Sequence, residues 1–175
     1  MKHLFLLLLA LGLLLSCEKN AFHESLGAAA FFHLKNNDFK GYSKFLLDST
    51  EAAVTLDALA HSAPFKEYPD AKKDHFKNVR NNLGPPIMQL HKKLEANFYK
   101  TFDQGVRKGL TWSGAKFVKV ELGQKQAIFD SKQLTQQHIY IIFKHNKIHY
   151  RLRLSNNILT KRGWVIVDGF VWEAP

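Results

Sequence analysis

Between Phe22 and about Gly109 the apolar positions recur every three or four residues, the spacing of one face of a helix. Phe22, Leu26, Ala29 and Ala30, then His33 and Leu34, predict a first helix that the Asn36-Asn37 pair ends. Asp38 suits the N-cap of a second helix over residues 39–49, because a short carboxylate can accept from a free amide of the first turn. Thr50 suits the cap of a third helix over residues 51–63, stopping before Pro64. Pro69 is placed for the first turn of a helix over residues 69–82. Gly84-Pro85-Pro86 is a break. Beyond it, Ile87, Leu90, Leu94, Phe98 and Phe102 line one face of a last long helix.

After Trp112-Ser113-Gly114 the period changes to two. Residues 115–122 alternate, and so do residues 138–155, which break at His145-Asn146-Lys147 and read as a hairpin. Residues 163–172 form a last strand, in which Asp168-Gly169 marks a bend or bulge rather than a catalytic acid. Helices followed by three or four antiparallel strands predict an α+β fold, with the N-terminal helices packed on one face of a bent C-terminal antiparallel sheet. No repeat, low-complexity tract or linker divides it.

The start of the chain follows another pattern. Met1-Lys2-His3 is short and basic, and Leu4 to Leu15 is an uncharged run of twelve residues, mostly leucine. Twelve helical residues span about 18 Å, whereas crossing a bilayer takes about 20 apolar residues. A basic start, a short apolar core and the small Ser16 before Cys17 are the marks of a cleaved secretory signal. Cys17 is the only cysteine, so no internal disulfide can form and the fold rests on its core.

Leu14-Leu15-Ser16-Cys17 resembles the lipobox of bacterial lipoproteins. The resemblance implies diacylglyceryl transfer to the Cys17 thiol, cleavage before it, and often acylation of the new amino terminus. One acyl chain holds a protein to a membrane only marginally, whereas two or three hold it stably. The expected division is a signal peptide over 1–16, a lipidated tether over 17–21 and a single α+β domain over 22–175. Glu18 stands where an aspartate retains such proteins in the inner membrane of enteric bacteria, which points to the outer membrane. The expected location is the cell envelope.

Residues 28–47, AAAFFHLKNNDFKGYSKFLL, resemble the opening of many small proteins of the NTF2-like superfamily, and residues 162–169, RGWVIVDG, resemble their last strand. That resemblance implies a sheet wrapped around helices into a cone. The cone can hold a ligand or an active site, and such domains often dimerise through the sheet.

Removing the signal leaves 159 residues with 24 lysines and arginines against 15 acids. A basic chain suits anionic partners such as headgroups, lipopolysaccharide or acidic polymers. Export argues against nucleic acid. The lysines are mostly single, as on a solvated surface. On the hairpin, His149, Arg151 and Arg153 share a face opposite Ile148, Tyr150, Leu152 and Leu154. The first three are the candidate anion-binding residues, because arginine forks fit phosphate and carboxylate. A solvated outer sheet face has the same appearance. Tyr150 alone brings a polar atom to the apolar face, and a buried tyrosine usually serves a hydrogen bond. Trp164 and Trp172 suit core and edge packing better than a carbohydrate platform. No metal site is expected, since His145 and His149 are separated by a turn and no HExxH or Cys/His cluster exists. No cofactor and no catalytic residue are assigned. The reading favours a non-enzymatic binding module of the envelope. The alternatives are a small-molecule binder or enzyme using the cone, and an immunity or inhibitor protein.

Overall fold

The computed structural model describes residues 25–128 and 131–174. The expected signal peptide, the tether and Cys17 lie outside these residues. Helix α1 occupies residues 25–35. It is followed by α2 (Phe39–Tyr42), a 3-10 turn (Ser43–Phe45), α3 (Ser49–Ala60), α4 (Ala63–Lys66), α5 (Asp70–Asn81) and α6 (Gly84–Arg107). A second 3-10 turn (Trp112–Gly114) leads into β1 (Lys116–Ile128), β2 (Ser131–His145), β3 (Ile148–Thr160), β4 (Gly163–Val165) and β5 (Phe170–Trp172). The fold is α+β, as the change of period implies. No helix among the described residues is long and apolar enough to cross a membrane.

Helix α1 ends at the asparagine pair, where Asn37 takes a φ of 53° that asparagine tolerates. Asp38 then caps α2, its Oδ1 accepting from the Gly41 amide at 2.9 Å. The expected second helix does not continue to Ser49. Leu47 N–H donates to Ile166 at 3.1 Å and Ile166 N–H donates to Phe45 at 2.8 Å, so the chain there runs extended beside the sheet. Asp48, not Thr50, caps α3, accepting from the Glu51 amide at 2.8 Å. Pro64 does not lie beyond a helix but in the first turn of α4, where its missing N–H costs nothing. The Gly84-Pro85-Pro86 break is likewise the first turn of α6.

The antiparallel sheet has the order β1-β2-β3-β4, with β5 also paired to β3. The expected last strand is thus two short ones, β4 opposite Ile158–Thr160 and β5 opposite Leu152–Leu154. The interruption includes Asp168-Gly169, where Asp168 Oδ1 accepts from the Gly169 amide at 2.9 Å. Strands β1 and β2 are longer than the alternation suggests, pairing out to Ile128 opposite Ser131.

One face of the sheet carries the main core. Leu26, Ala30, Phe31 and Leu34 of α1 and Leu94 and Phe98 of α6 meet Ile139, Ile141, Phe143, Leu152 and Leu154. Each such side chain, fully buried, contributes about 1.5–3 kcal/mol. Gly27 allows the close approach of α1, since a Cβ there would meet Val120 and Ile139. At the β4 end the alternation brings Trp164 and Ile166 into this core and Val165 into a second cluster. There Val165 joins Leu47 and Ala52, with Leu83, Ile87 and Ile158 against them. This end of the sheet is therefore packed on both sides, rather than on one face throughout.

Candidate functional site

The inner face of the sheet is rich in aromatic contacts. Tyr42 lies 5.0 Å from Phe98 and 5.3 Å from Phe170 between ring centroids. Trp112 stacks on Phe102 at 5.4 Å and on Phe143 at 5.9 Å. Tyr150 stacks on Phe143 at 5.4 Å and meets the Trp172 edge at 6.3 Å, so it serves packing. Both tryptophans of the last strand segments, Trp164 and Trp172, pack on this core as expected. Aromatic rings thus pack against one another beneath the sheet.

Tyr42 is a polar feature the sequence does not advertise. Its hydroxyl is buried without a hydrogen-bond partner, and burial, helped by the nearby Asp168 charge, pushes its pKa far above the ordinary tyrosine range. It stays neutral and cannot act as a base at physiological pH. Asp168 has its own partners, Gly169 N–H and the Asn156 side-chain amide at 3.3 Å.

Several histidines serve the backbone. His91 Nε2 bonds the Leu47 carbonyl oxygen at 2.8 Å. His145 Nε2 accepts from the Thr111 amide at 3.3 Å, and His138 Nδ1 from the Asn156 amide at 3.1 Å. His33 Nδ1 pairs with Asp38 Oδ2 at 2.8 Å. Among the described residues no group of three or more His, Cys, Asp or Glu side chains could hold a metal.

The outer sheet face is where the chemistry gathers. His149, Arg151 and Arg153 share it, as the alternation of β3 requires. The two arginines are already engaged. The Arg151 guanidinium lies 4.0 Å above the Tyr140 ring and 3.5 Å from Glu121 Oε2. Arg153 Nε lies 3.1 Å from Glu173 Oε1. Glu121 also takes the Lys119 ammonium at 2.8 Å, and the Lys119 bond and charge, with Arg151 beyond, hold its carboxyl below the usual range. His149 is exposed and stands in register with Lys144, which stands in register with Lys116. No strand alone displays this row, because it runs across three of them. The signal that could have found it is the register of the Asn146-Lys147 turn.

Grooves away from this face include two that border the sheet. One, of about 520 Å³, runs between α3 and the end of β3, with Val54, Ala58 and Leu159 along it. Asp48, Glu51 and Arg162 also line it, Arg162 donating to Glu51 at 2.8 Å. The other, of about 320 Å³, lies between α1 and β4.

Fold and surface together define an α+β protein with a filled aromatic core and a charged sheet face. Compared with models of known families, with curated proteins and with solved structures, the chain matches none.

Proposed function

We propose that this protein is a lipid-anchored lipoprotein of the bacterial cell envelope whose α+β domain binds a partner and performs no catalysis. The observation that carries the anchor is Cys17, the only cysteine, directly after a short apolar run and Ser16. Lipid on the thiol accounts for an unpaired cysteine in an exported chain. What supports a binding role is the aromatic packing of the sheet's inner face, since a ligand site needs a concave space with convergent polar groups. The domain is NTF2-like in this reading, with the cone closed by its own side chains and the outer surface left to act.

Intact mass of the protein purified from membranes tests the anchor. The wild type is expected to begin at Cys17 and to carry a lipid adduct, and Cys17→Ser to carry none. A free thiol in a soluble wild-type protein would remove the reading.

A further inference from the structure

The end of the sheet at the β2–β3 hairpin carries lysines that no carboxylate among the described residues pairs. Lys116 faces Lys144 across β1 and β2, and Lys144 faces His149 across β2 and β3. Like charges directly opposite each other destabilise a sheet. The carboxylates of this face lie further along it, Glu121 on Lys119 and Arg151, and Glu173 on Arg153. Among the described residues, Lys116, Lys144 and Lys147 have no ion-pair partner.

The turn adds a second oddity. Asn146 and Lys147 join His145 to Ile148 with φ values of 49° and 69°. A two-residue hairpin of this kind favours Asn-Gly, because both residues are left-handed. Lysine at the second position strains the backbone and places a third ammonium at the tip. Beside it, Ile148 is 56% exposed, Val118 41% and Phe117 38%. Ile148 and Phe117 lie on the inner face of the sheet and Lys116 and Lys144 on the outer, so apolar and cationic groups come together at this end, an edge suited to enter the headgroup layer of a membrane.

We propose that this hairpin end docks on an anionic phospholipid bilayer, with Lys116, Lys144 and Lys147 on phosphates and Ile148 entering the acyl boundary. The proposal rests on the envelope reading only for bringing the protein beside a bilayer. The chain permits contact with the membrane that would hold Cys17. The eight residues from Cys17 to Ser25 can span at most about 27 Å, more than the roughly 15 Å of α1 that separates Ser25 from Lys35, whose ammonium bonds the Ala115 carbonyl beside Lys116 at 2.8 Å.

The test is vesicle sedimentation with the chain from residue 17 carrying Cys17→Ser, so that no lipid anchor contributes. Among the described residues the buried hydrophobic ones fall between Leu26 and Phe170, so this chain keeps all of them. Binding is expected to vesicles of phosphatidylglycerol mixed with phosphatidylcholine, not to phosphatidylcholine alone, and to weaken as salt shortens the screening length. The triple variant Lys116→Gln, Lys144→Gln, Lys147→Gln should partition on the order of 100-fold more weakly. An equal charge change at Lys77, Lys92 and Lys93 should cost no more than a few-fold. Ile148→Ser should weaken binding with the lysines intact, which keeps the proposal testable if the triple variant folds poorly. Equal losses from both triple variants, equal binding to the uncharged vesicles, or binding to heparin without binding to vesicles would each overturn it. If the vesicles fail while intact mass finds lipid on Cys17, only the docking surface is lost. If Cys17 carries no lipid but the vesicles bind, the surface stands without the anchor.

Discussion

Asp38 shows how much one side chain can organise. It caps α2 through Gly41 and meets His33 from the end of α1, so it locks the corner between the two helices. The Gly41 amide first, and His33 second, hold its carboxyl below the ordinary value of 3.8. Because folding lowers this pKa, Asp38 stabilises the fold above the ordinary value and ceases to as pH falls through the folded one. Urea unfolding of wild type and Asp38→Ala should therefore differ by a constant amount above about pH 5 and converge below pH 3.8. A gap that persisted in stronger acid would place the effect elsewhere than in the carboxylate. Tyr42 is the opposite case, a buried hydroxyl with no partner. Tyr42→Phe keeps the ring contacts and is expected to raise stability by about 1 kcal/mol in the same assay, since an unsatisfied buried polar group costs that much or more. Phe98→Ala should remove about 3–5 kcal/mol, a large share of a typical domain's stability of about 5–15 kcal/mol.

At the scale of elements, helices α4 and α5 and the β2–β3 hairpin stand out. Helices α4 and α5 contain no buried residue. They are held by Phe65 against Phe76 at 4.7 Å and by Arg80, which forks onto Asp57 of α3 at 2.7 and 2.9 Å. Arg80→Ala should speed limited proteolysis between Lys66 and Lys77 and leave the thermal midpoint of the core almost unchanged, because that helix pair adds little to the main core. If the midpoint fell with the cleavage rate, α5 would be part of the cooperative unit. In the hairpin, Lys147→Gly should raise stability by roughly 1 kcal/mol by removing a left-handed lysine. The loss of membrane affinity expected of the same tip would mark a strain retained for docking rather than for folding. The second helix belongs to this scale too. Phe39 to Leu47 has a helical pattern and a good cap, yet Leu46 and Leu47 stay extended. The pairing of the Phe45–Leu47 segment with Ile166 satisfies the backbone, and both leucines are buried. Ile166 is far from this segment in sequence, so propensity could not anticipate the pairing.

At the scale of the molecule, the helices cover the inner face of the sheet, and the β4 end is packed on both sides. The long helix α6 was plain from Ile87 to Phe102, and its heptad-like face is the one found buried. The polar ends of β1 and β2 were not, since Gln124 to Ile128 lacks apolar alternation and is held by strand pairing, with Gln136 Nε2 donating to Gln126 Oε1 at 3.2 Å. The candidate anion-binding arginines were legible as a stripe, but their carboxylate partners come from β1 and from the segment after β5. Charge on this face is therefore unevenly satisfied, and the uncompensated row lies across the strands rather than along one.

The amino-acid sequence by itself determined the order of helices and strands, the asparagine turn after α1, the Asp38 cap and the outward face of His149, Arg151 and Arg153. All of these follow from local backbone preferences and from periods of 3.6 and 2, which operate within a few residues. Only the tertiary structure decided that Leu46 and Leu47 join the sheet, that the last strand breaks at Asp168-Gly169, which aromatic rings meet beneath the sheet, and that Lys116, Lys144 and His149 stand in one row. Each of those depends on contacts between residues far apart in the chain, whose register is set by packing and pairing rather than by local pattern.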